Sequence, residues 1–396
     1  MPFIFLCLLL LATTTCTVAN EDQLGTPPTP LKPSEPIKIT KVPFDSQTKV
    51  VPFNPQTQER FIRIIRRHHY VRPAISDIEG AFFEPESLNH YLKTLDPYSK
   101  YIKAAQQAYY QKRQAKEQIG LGINILVNQE TLLAVPLQNS PAWKAGFQSP
   151  AYLVTVDDKK LSANDFSSFS FLVDLLPGQK IPLRVSKSEQ LDTTEQYTLT
   201  VNSFNNASIE YLTIAKGKVI RIHAFDSRDM TKKLANFLRI AMQQSDDIII
   251  DLRYCPGGSL YEAIDAASLF VPAELEVSYL KKQYQKRLRA LTSLPGKITQ
   301  HQKIYIWVSQ FTASAAEVFA RILQHYANAI IVGTPTAGKC LSQQQFQFED
   351  NSALQLSVFE ILGPDKQACQ GLSLKLDVQI EPDNILNSND YLAKSE

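Results

Sequence analysis

This 396-residue chain has no real excess of either charge: 41 Lys and Arg stand against 39 Asp and Glu, a formal net charge of +2. A dedicated nucleic-acid binder carries a strong basic surplus or a basic stripe, so that class is excluded. No apolar run reaches the roughly 18 to 20 residues of a membrane span. Cysteine is scarce, five in all, and no two sit at CxxC spacing. The six histidines are scattered and form no HExxH, so a structural or catalytic zinc site is not expected. Composition also excludes collagen-like, coiled-coil and wholly disordered chains. What is present is 44% hydrophobic residues on a long chain. That is enough for two or three domains with their own cores and no staples.

The first residues read as a leader. Phe3 to Ala12 is an apolar run of signal-peptide length, followed by small polar residues and Thr17-Val18-Ala19, which resembles an A-x-A cleavage site. Residues 1–19 are therefore expected to be removed, giving an exported protein, periplasmic or secreted, that begins near Asn20. Cys7 and Cys16 leave with the leader, and Cys255, Cys340 and Cys369 stay. Three cysteines in an oxidising compartment allow one disulfide and one free thiol, without specifying the pair. Residues 20–57 are rich in Pro, Thr and Gln and read as an extended linker.

Helical patterning begins at Glu59-Arg60-Phe61-Ile62-Arg63-Ile64-Ile65 and recurs over Glu86 to Leu95 and Lys103 to Glu117, interrupted at Arg72-Pro73, Glu84-Pro85 and Asp96-Pro97. Residues 58–116 form an expected helical region, with Arg63, Arg66, Arg67, His68 and His69 on a solvated face. The period then changes. Short strands at Gly122 to Val127, Leu132 to Pro136, Tyr152 to Val156, Ile181 to Val185 and Tyr197 to Val201, with helices at Pro141 to Ala145 and Phe166 to Leu175, predict a small, partly open β-barrel over 117–203. Residues 204–396 read as α/β. Strands at Val219 to His223, Asp247 to Arg253, Lys303 to Val308 and Ala329 to Gly333 alternate with helices at Thr231 to Gln244, Leu260 to Phe270 and Ala313 to Tyr326. A hairpin, Leu341 to Phe348 and Ala353 to Ile361, follows.

Two segments of the α/β part offer chemistry. Asp251-Leu252-Arg253-Tyr254-Cys255-Pro256-Gly257-Gly258-Ser259 joins a strand to a helix through a glycine turn whose N–H groups face an anion. It contains neither GxGxxG nor GxxxxGK[ST], so taken alone it is read equally as an ordinary tight turn, a nucleotide site or a cradle for the transient oxyanion of acyl transfer. Thr312-Ala313-Ser314-Ala315-Ala316-Glu317 places a serine among small residues at a helix start, where it serves either as an N-cap or as a nucleophile. His325 is eleven residues further on. The rise of ~16 Å over that interval keeps it from acting as base for Ser314 in a continuous helix. Lys339, in the turn Thr334-Pro335-Thr336-Ala337-Gly338-Lys339 after the next strand, emerges on the same side of the sheet. A lysine acts as base when desolvation favours its neutral amine. Gln343 projects to the same side of its strand and would orient that amine.

Together these residues resemble the carboxyl-terminal processing peptidases, or tail-specific proteases. That family carries a DLRxNxGG segment, an S-A-[SA]-E segment, a lysine 25 positions after the serine and a glutamine four further on, and Ser314, Lys339 and Gln343 keep both intervals. The resemblance implies a Ser314 nucleophile, a Lys339 base, Gln343 as its orienter, and an oxyanion hole from the N–H groups of Gly257 and Ala315. It extends over roughly residues 59–383. Leu-Lys-Thr-Leu-Asp-Pro-Tyr at Leu92 to Tyr98, completed by Ser99, is similar to the family's L-x-x-L-D-P-x-S segment. Ser140-Pro141-Ala142-Trp143-Lys144-Ala145-Gly146 is similar to its S-P-A-x-x-A-G. The β-rich part then resembles a PDZ domain, and Gly120, Leu121, Gly122 and Ile123 match the loop that holds a peptide's terminal carboxylate. The implied fold is a helical N-terminal region, a PDZ domain and a crotonase- or ClpP-like α/β peptidase core.

Some positions depart from the pattern. Tyr254 and Cys255 stand where asparagines are common, His325 where an aspartate is usual, and Asp174 where a basic residue is common and links PDZ docking to activation. A disulfide from Cys340 or Cys255 to Cys369 would distort the site under oxidising conditions. The implied activity is cleavage near the free C-termini of protein or peptide substrates through an acyl-enzyme, with no metal or organic cofactor needed. Neither a homodimer nor an adaptor lipoprotein is specified. The alternative is a catalytically silent or gated PDZ-containing scaffold or ligand carrier on the same fold, which would have no physical need for Ser314, Lys339 and Gln343 together. A third use of this core, acyl-thioester chemistry, fits poorly with a leader, because such substrates are mainly intracellular.

Overall fold

The structure, a computed structural model, describes residues 53–79, 85–104, 106–108, 111, 117–128, 130–162, 166–214, 217–226, 228–243, 247–299 and 301–395. The expected leader, nearly all of the linker, and part of the expected helix 103–117 lie outside the described residues.

The first described helix, Pro55–His68, starts where Asn54 accepts a hydrogen bond from the Thr57 N–H (2.8 Å) and Pro55 occupies the first turn. Phe61 and Ile65, one turn apart, are its buried stripe, and Arg66, Arg67 and His68 sit favourably in the last turn. Helices Ile75–Glu79 and Pro85–Leu95 follow. The core beneath them is shared: Phe61, Ile65, Leu88 and Leu92 pack against Leu354, Leu356 and Val358. Strand β1 (Lys100–Ile102) also runs antiparallel to a strand of the C-terminal hairpin. The expected solvated face is only partly so. Arg63 and Arg67 are exposed, whereas His69, one residue past the helix, is fully buried.

The middle stretch opens with β2 (Glu117–Gly120) and continues through β3 (Ile123–Asn128), β4 (Thr131–Pro136), β5 (Ala151–Val156), β6 (Lys180–Ser186), β7 (Glu195–Thr200) and β8 (Asn202–Asn205). Strands β3 to β7 form one antiparallel sheet in sequence order, and β2 pairs with β8. Where a partly open barrel is expected, the described strands form a meander whose first strand, β3, is an edge. The short helix Pro141–Lys144 is present, and the expected helix from Phe166 is a 3-10 helix that ends at Val173. Apolar side chains on alternate positions of β3, Ile123, Ile125 and Val127, join Leu153, Phe169 and Leu183 in a separate core.

The remaining strands are β9 (Ile209–Ile214), β10 (Gly217–Ile222), β11 (Asp247–Asp251), β12 (Glu276–Lys281), β13 (Arg289–Thr292), β14 (Lys303–Val308), β15 (Ile330–Gly333), β16 (Leu341–Gln347), β17 (Ala353–Leu362) and β18 (Val378–Gln379). Six of them form a sheet in the order β18-β15-β14-β11-β10-β9, parallel except for β9. Their continuous apolar runs, Ile248-Ile249-Ile250 and Ile304 to Val308, suit a sheet covered on both faces. Helices Arg228–Met242, Leu260–Ala267 and Ala315–Ala327 supply cover. A second sheet runs β1-β17-β12-β13, with β16 also paired to β17.

Register decides where chemistry can gather. Asp251 pairs with Trp307, and Val308 with Gly333, so β11, β14 and β15 end nearly level. The turns that follow, 252–259, 309–314 and 334–340, therefore leave one edge of the sheet side by side, the usual place for a site in an open parallel sheet. Among the described residues no helix is long and apolar enough to cross a membrane. Cys340 is bonded to Cys369, and Cys255 is a buried free thiol.

Candidate active site

Ser314 sits where β14 gives way to the helix Ala315–Ala327, and its backbone takes φ 58°, ψ −123°. A positive φ costs any residue with a Cβ, and it persists only where the surroundings impose it. Here they do. Thr312 and Ser309 lock the turn, with the Ser309 N–H on Thr312 Oγ1 (2.9 Å) and Thr312 Oγ1 on the Leu252 carbonyl (2.8 Å). The Ala313 N–H donates to the Cys255 carbonyl (3.1 Å). Ser314 is half-buried while residues 311–313 and 315–320 are buried, so the seryl residue is what this edge presents.

The glycine turn closes against it. A Cβ on Gly257 would stand 2.7 Å from the Ala313 carbonyl oxygen, 2.9 Å from the Ala315 nitrogen and 2.9 Å from Ser314 Cβ. Only glycine permits that approach, and Gly257 also has φ 106°. The two residues expected to donate to an oxyanion, Gly257 and Ala315, are thus brought together beside Ser314.

Behind the turn lies a charged knot. Asp251 accepts from Arg221 Nε (3.0 Å) and from Arg253 Nε and Nη2 (2.9 Å each). Burial alone would raise the Asp251 carboxyl, but the two guanidinium groups hold it well below the usual carboxylate range. The Arg253 guanidinium also lies 4.9 Å from the Trp307 ring, 4.6 Å from that of Tyr391 and 5.1 Å from that of Tyr254. Tyr254, the departure from asparagine, is therefore a stacking partner in this knot.

Glu317 joins the two halves of the site. One carboxylate oxygen, Oε2, accepts the main-chain N–H of Ser314 (2.9 Å) and that of Lys339 (2.9 Å). The other, Oε1, accepts the Gly338 N–H (2.8 Å) and the Thr336 hydroxyl (2.6 Å). Burial pushes the Glu317 carboxyl up, and these four donors pull it down. Ser314 and Lys339 are thus tied through a single oxygen atom, and the expected convergence of their two turns is observed. A glutamate three residues after a helix-capping serine is a capping-box signal. That spacing alone could have singled out Glu317.

Lys339 is half-buried, and its Nζ lies 4.8 Å from the centre of the Tyr98 ring. Gln343 is beside it on β16, with its amide nitrogen on the Leu341 carbonyl (2.5 Å) and 3.5 Å from Ser357 Oγ. Ser357 Oγ in turn donates to Asp96 Oδ1 (2.8 Å). Asp96 also pairs with His69 Nε2 (2.8 Å) and accepts from the Ser99 hydroxyl (2.5 Å) and the Tyr98 and Ser99 N–H groups. Burial raises the Asp96 carboxyl, yet the bonds from His69, Ser99 and Ser357 outweigh it and leave the group below its ordinary value. This layer was missed in the sequence because His69 and Asp96 lie more than two hundred residues from Ser357.

His325 is exposed near the far end of its helix, and His223 is buried against Glu210 (2.9 Å). Asp174 is exposed just past the 3-10 helix. Gly120, Leu121, Gly122 and Ile123 lie in the middle unit, between β2 and the start of β3. There the Leu121 carbonyl accepts from Ala142, and that of Gly122 from Leu137 and the Ser140 hydroxyl. A Cβ on Gly122 would strike Ser140 Cβ at 2.2 Å. The Cys340–Cys369 disulfide is present together with the bonds of Glu317 to the N–H groups of Gly338 and Lys339.

This combination, a strained seryl residue at a strand–helix junction, an adjoining glycine turn and a neighbouring lysine, defines a serine-hydrolase type of site on an open α/β sheet. Part of the chain, fewer than half of its residues, matches the model of peptidase family S41. The profile of that family matches residues 218–384, which include Ser314, Lys339 and Gln343. A probable CtpA-like serine protease of Staphylococcus epidermidis is 26% identical over 286 residues, covering 72% of this chain and 58% of the relative. A probable CtpA-like serine protease of Staphylococcus aureus is 26% identical over 326 residues, covering 82% and 64%. The chain thus spans less than two thirds of the length of these curated relatives. Among solved structures, a photosystem II D1 C-terminal processing protease superposes with a TM-score of 0.62 at 18% identity, covering 82% of this chain and 92% of that one. A putative S41 protease from Bacteroides fragilis gives 0.57 at 20%, covering 85% and 95%. At these identities the likeness is one of fold.

Proposed function

We propose that this protein is an exported serine endopeptidase that cuts peptide bonds near the C-termini of protein substrates. The observation that carries this reading is the shared Glu317 oxygen, which holds the main chains of Ser314 and Lys339 side by side. Ser314 Oγ attacks the scissile carbonyl carbon while the neutral Lys339 amine takes its proton. The N–H groups of Gly257 and Ala315 receive the oxyanion. Collapse of this intermediate breaks the C–N bond, and the Lys339 ammonium returns the proton to the departing amine of the C-terminal fragment. Water, giving its proton to Lys339, then attacks the ester carbonyl, and as the C–O bond breaks the Lys339 ammonium returns that proton to Ser314 Oγ, freeing the serine and the shortened substrate. Gln343 steadies the lysine side through its contacts with Leu341 and Ser357 on the adjoining hairpin.

The middle unit is read as a PDZ domain. Support comes from the meander sheet, from Gly122 tucked under the Ser140-Pro141-Ala142 turn, and from the edge position of β3. A substrate tail would add to β3 as a further strand, its terminal carboxylate at Gly120 to Ile123. Contacts so far from the scissile bond position the substrate for the chemical step.

The test is digestion of an unfolded protein with an apolar C-terminal tail by wild type, Ser314→Ala and Lys339→Ala, with an amidated-tail control. Mass spectrometry locates the cuts. Cleavage close to the tail by wild type alone is expected, and amidation should slow it. Cleavage that survives in Ser314→Ala would overturn the mechanism. A wild type that binds the tail but never cuts it would identify a scaffold.

A further inference from the structure

The Lys339 ammonium is 4.8 Å from the centre of the Tyr98 ring. Tyr98 comes from the segment after the third helix, far from Lys339 in sequence, and it is held from several sides. Its N–H donates to Asp96 Oδ1 (2.8 Å), and its carbonyl accepts from Gln355 Nε2 (3.2 Å). Its side chain packs with Tyr70 and Leu341 and is only 8% exposed. Its hydroxyl accepts from Gln370 Nε2 (3.3 Å). Gln370 is itself anchored, because its Oε1 accepts the N–H of Cys340, the residue after Lys339 (2.7 Å), and its neighbour Cys369 is bonded to Cys340. Gln370 therefore bonds both the Tyr98 hydroxyl and the turn that carries the amine.

We propose that Tyr98 is a positioning residue for Lys339, its ring face seating the ammonium between proton transfers, the ring itself held by its packing with Tyr70 and Leu341 and by the main-chain bonds to Asp96 and Gln355. This rests on the reading of Lys339 as the base. An aromatic face attracts a cation and has little hold on a neutral amine. The seat therefore binds Lys339 after it has taken a proton and releases it once the proton is passed on. An ammonium left unseated would sample many rotamers of a long, flexible side chain and meet the leaving amine less often.

The experiment compares wild type, Tyr98→Phe, Tyr98→Leu and a protein with pentafluorophenylalanine at position 98, whose ring has nearly the same shape but a reversed face charge. Two readouts are taken: the pH profile of cleavage of a tail-bearing substrate, and the rate at which acetic anhydride acetylates Lys339 at neutral pH, read by mass spectrometry. Tyr98→Phe keeps the face and should stay within about threefold of wild type in both. The fluorinated ring should lower kcat roughly tenfold with KM unchanged, move the acid limb of the profile to lower pH and speed acetylation of Lys339, as expected for loss of a partly desolvated cation–π contact. Tyr98→Leu should follow the fluorinated protein, and a thermal melt shows whether it is folded. If it is not, the fluorinated protein decides alone.

A fluorinated protein with wild-type profile and acetylation rate would overturn the proposal. So would a Tyr98→Phe protein as impaired as the fluorinated one, since the hydroxyl and not the face would then matter. Should wild type cut nothing, the peptidase reading fails separately, and the acetylation rate still tests the seat.

Discussion

The two halves of the site are built in different ways. The serine half is made from short segments of one sheet: the turn after β11, the turn after β14 and the start of a helix, locked by main-chain bonds and by the room left at Gly257. The lysine half is assembled from remote pieces. Lys339 lies on a turn braced by a disulfide and Gln370, under a ring from the N-terminal segment, beside a strand whose Ser357 hangs on Asp96. A nucleophile needs one fixed strained geometry, which local backbone supplies best. A base must hold and release a proton, and its surroundings decide that through side chains gathered from far apart.

The comparison breaks if both halves respond alike to substitution. Ser314→Ala should lower kcat by at least about 10⁴-fold with no loss of stability, which thermal melts and peptide hydrolysis would check. Gly257→Ala places a Cβ 2.7 Å from the Ala313 carbonyl oxygen. It should cost about 10²- to 10³-fold in kcat by moving the N–H group proposed as an oxyanion donor, with KM little changed. Asp96→Asn removes the acceptor of a buried pair with His69 and should destabilise the protein by about 3 kcal/mol or more in urea titrations at neutral pH. The sign with pH follows from the lowered carboxyl. The stabilisation is present above the ordinary carboxylate range and is lost as pH falls through the folded-state value, so Asp96→Asn should flatten acid unfolding. Cys340→Ser with Cys369→Ser opens a loop with a sequence separation of 29 and should cost about 2 to 3 kcal/mol, with a smaller fall in kcat than Gly257→Ala. His325→Asp, on an exposed position, should change stability by less than about 0.5 kcal/mol and leave cleavage unaltered.

The same contrast explains what could be read from sequence. The turn from Asp251 to Ser259, the segment from Thr312 to Glu317 and the helix starting at Ala315 are contiguous, and their residue types state their geometry. Lys339 was reached from its place in the turn after the next strand and Gln343 from its side of the strand that follows, and the family's intervals agree with both. Tyr98, His69, Gln370 and Ser357 were not, because nothing in a linear pattern says which buried polar groups meet across more than two hundred residues. His69 shows the error plainly: it follows a basic helical run, and composition places it on a wet face, yet the chain turns there and carries it under the hairpin onto Asp96. Strands β1, β2, β8, β9, β12, β13 and β18 escaped notice for a related reason. Several are short and polar edge pieces whose partners, not their propensities, make them strands. The strands of the parallel sheet, with continuous apolar runs, were found within a few residues of their ends.

The most direct test of the central account is to trap the acyl-enzyme. The protein would be mixed with a short peptide ester carrying an apolar tail, quenched in acid within one turnover, digested and sequenced by mass spectrometry. The account predicts an acyl group on Ser314 in wild type and its loss, or a strong slowing of its formation, in Lys339→Ala. An acyl group on any other residue, or turnover at an undiminished rate in Ser314→Ala, would contradict it.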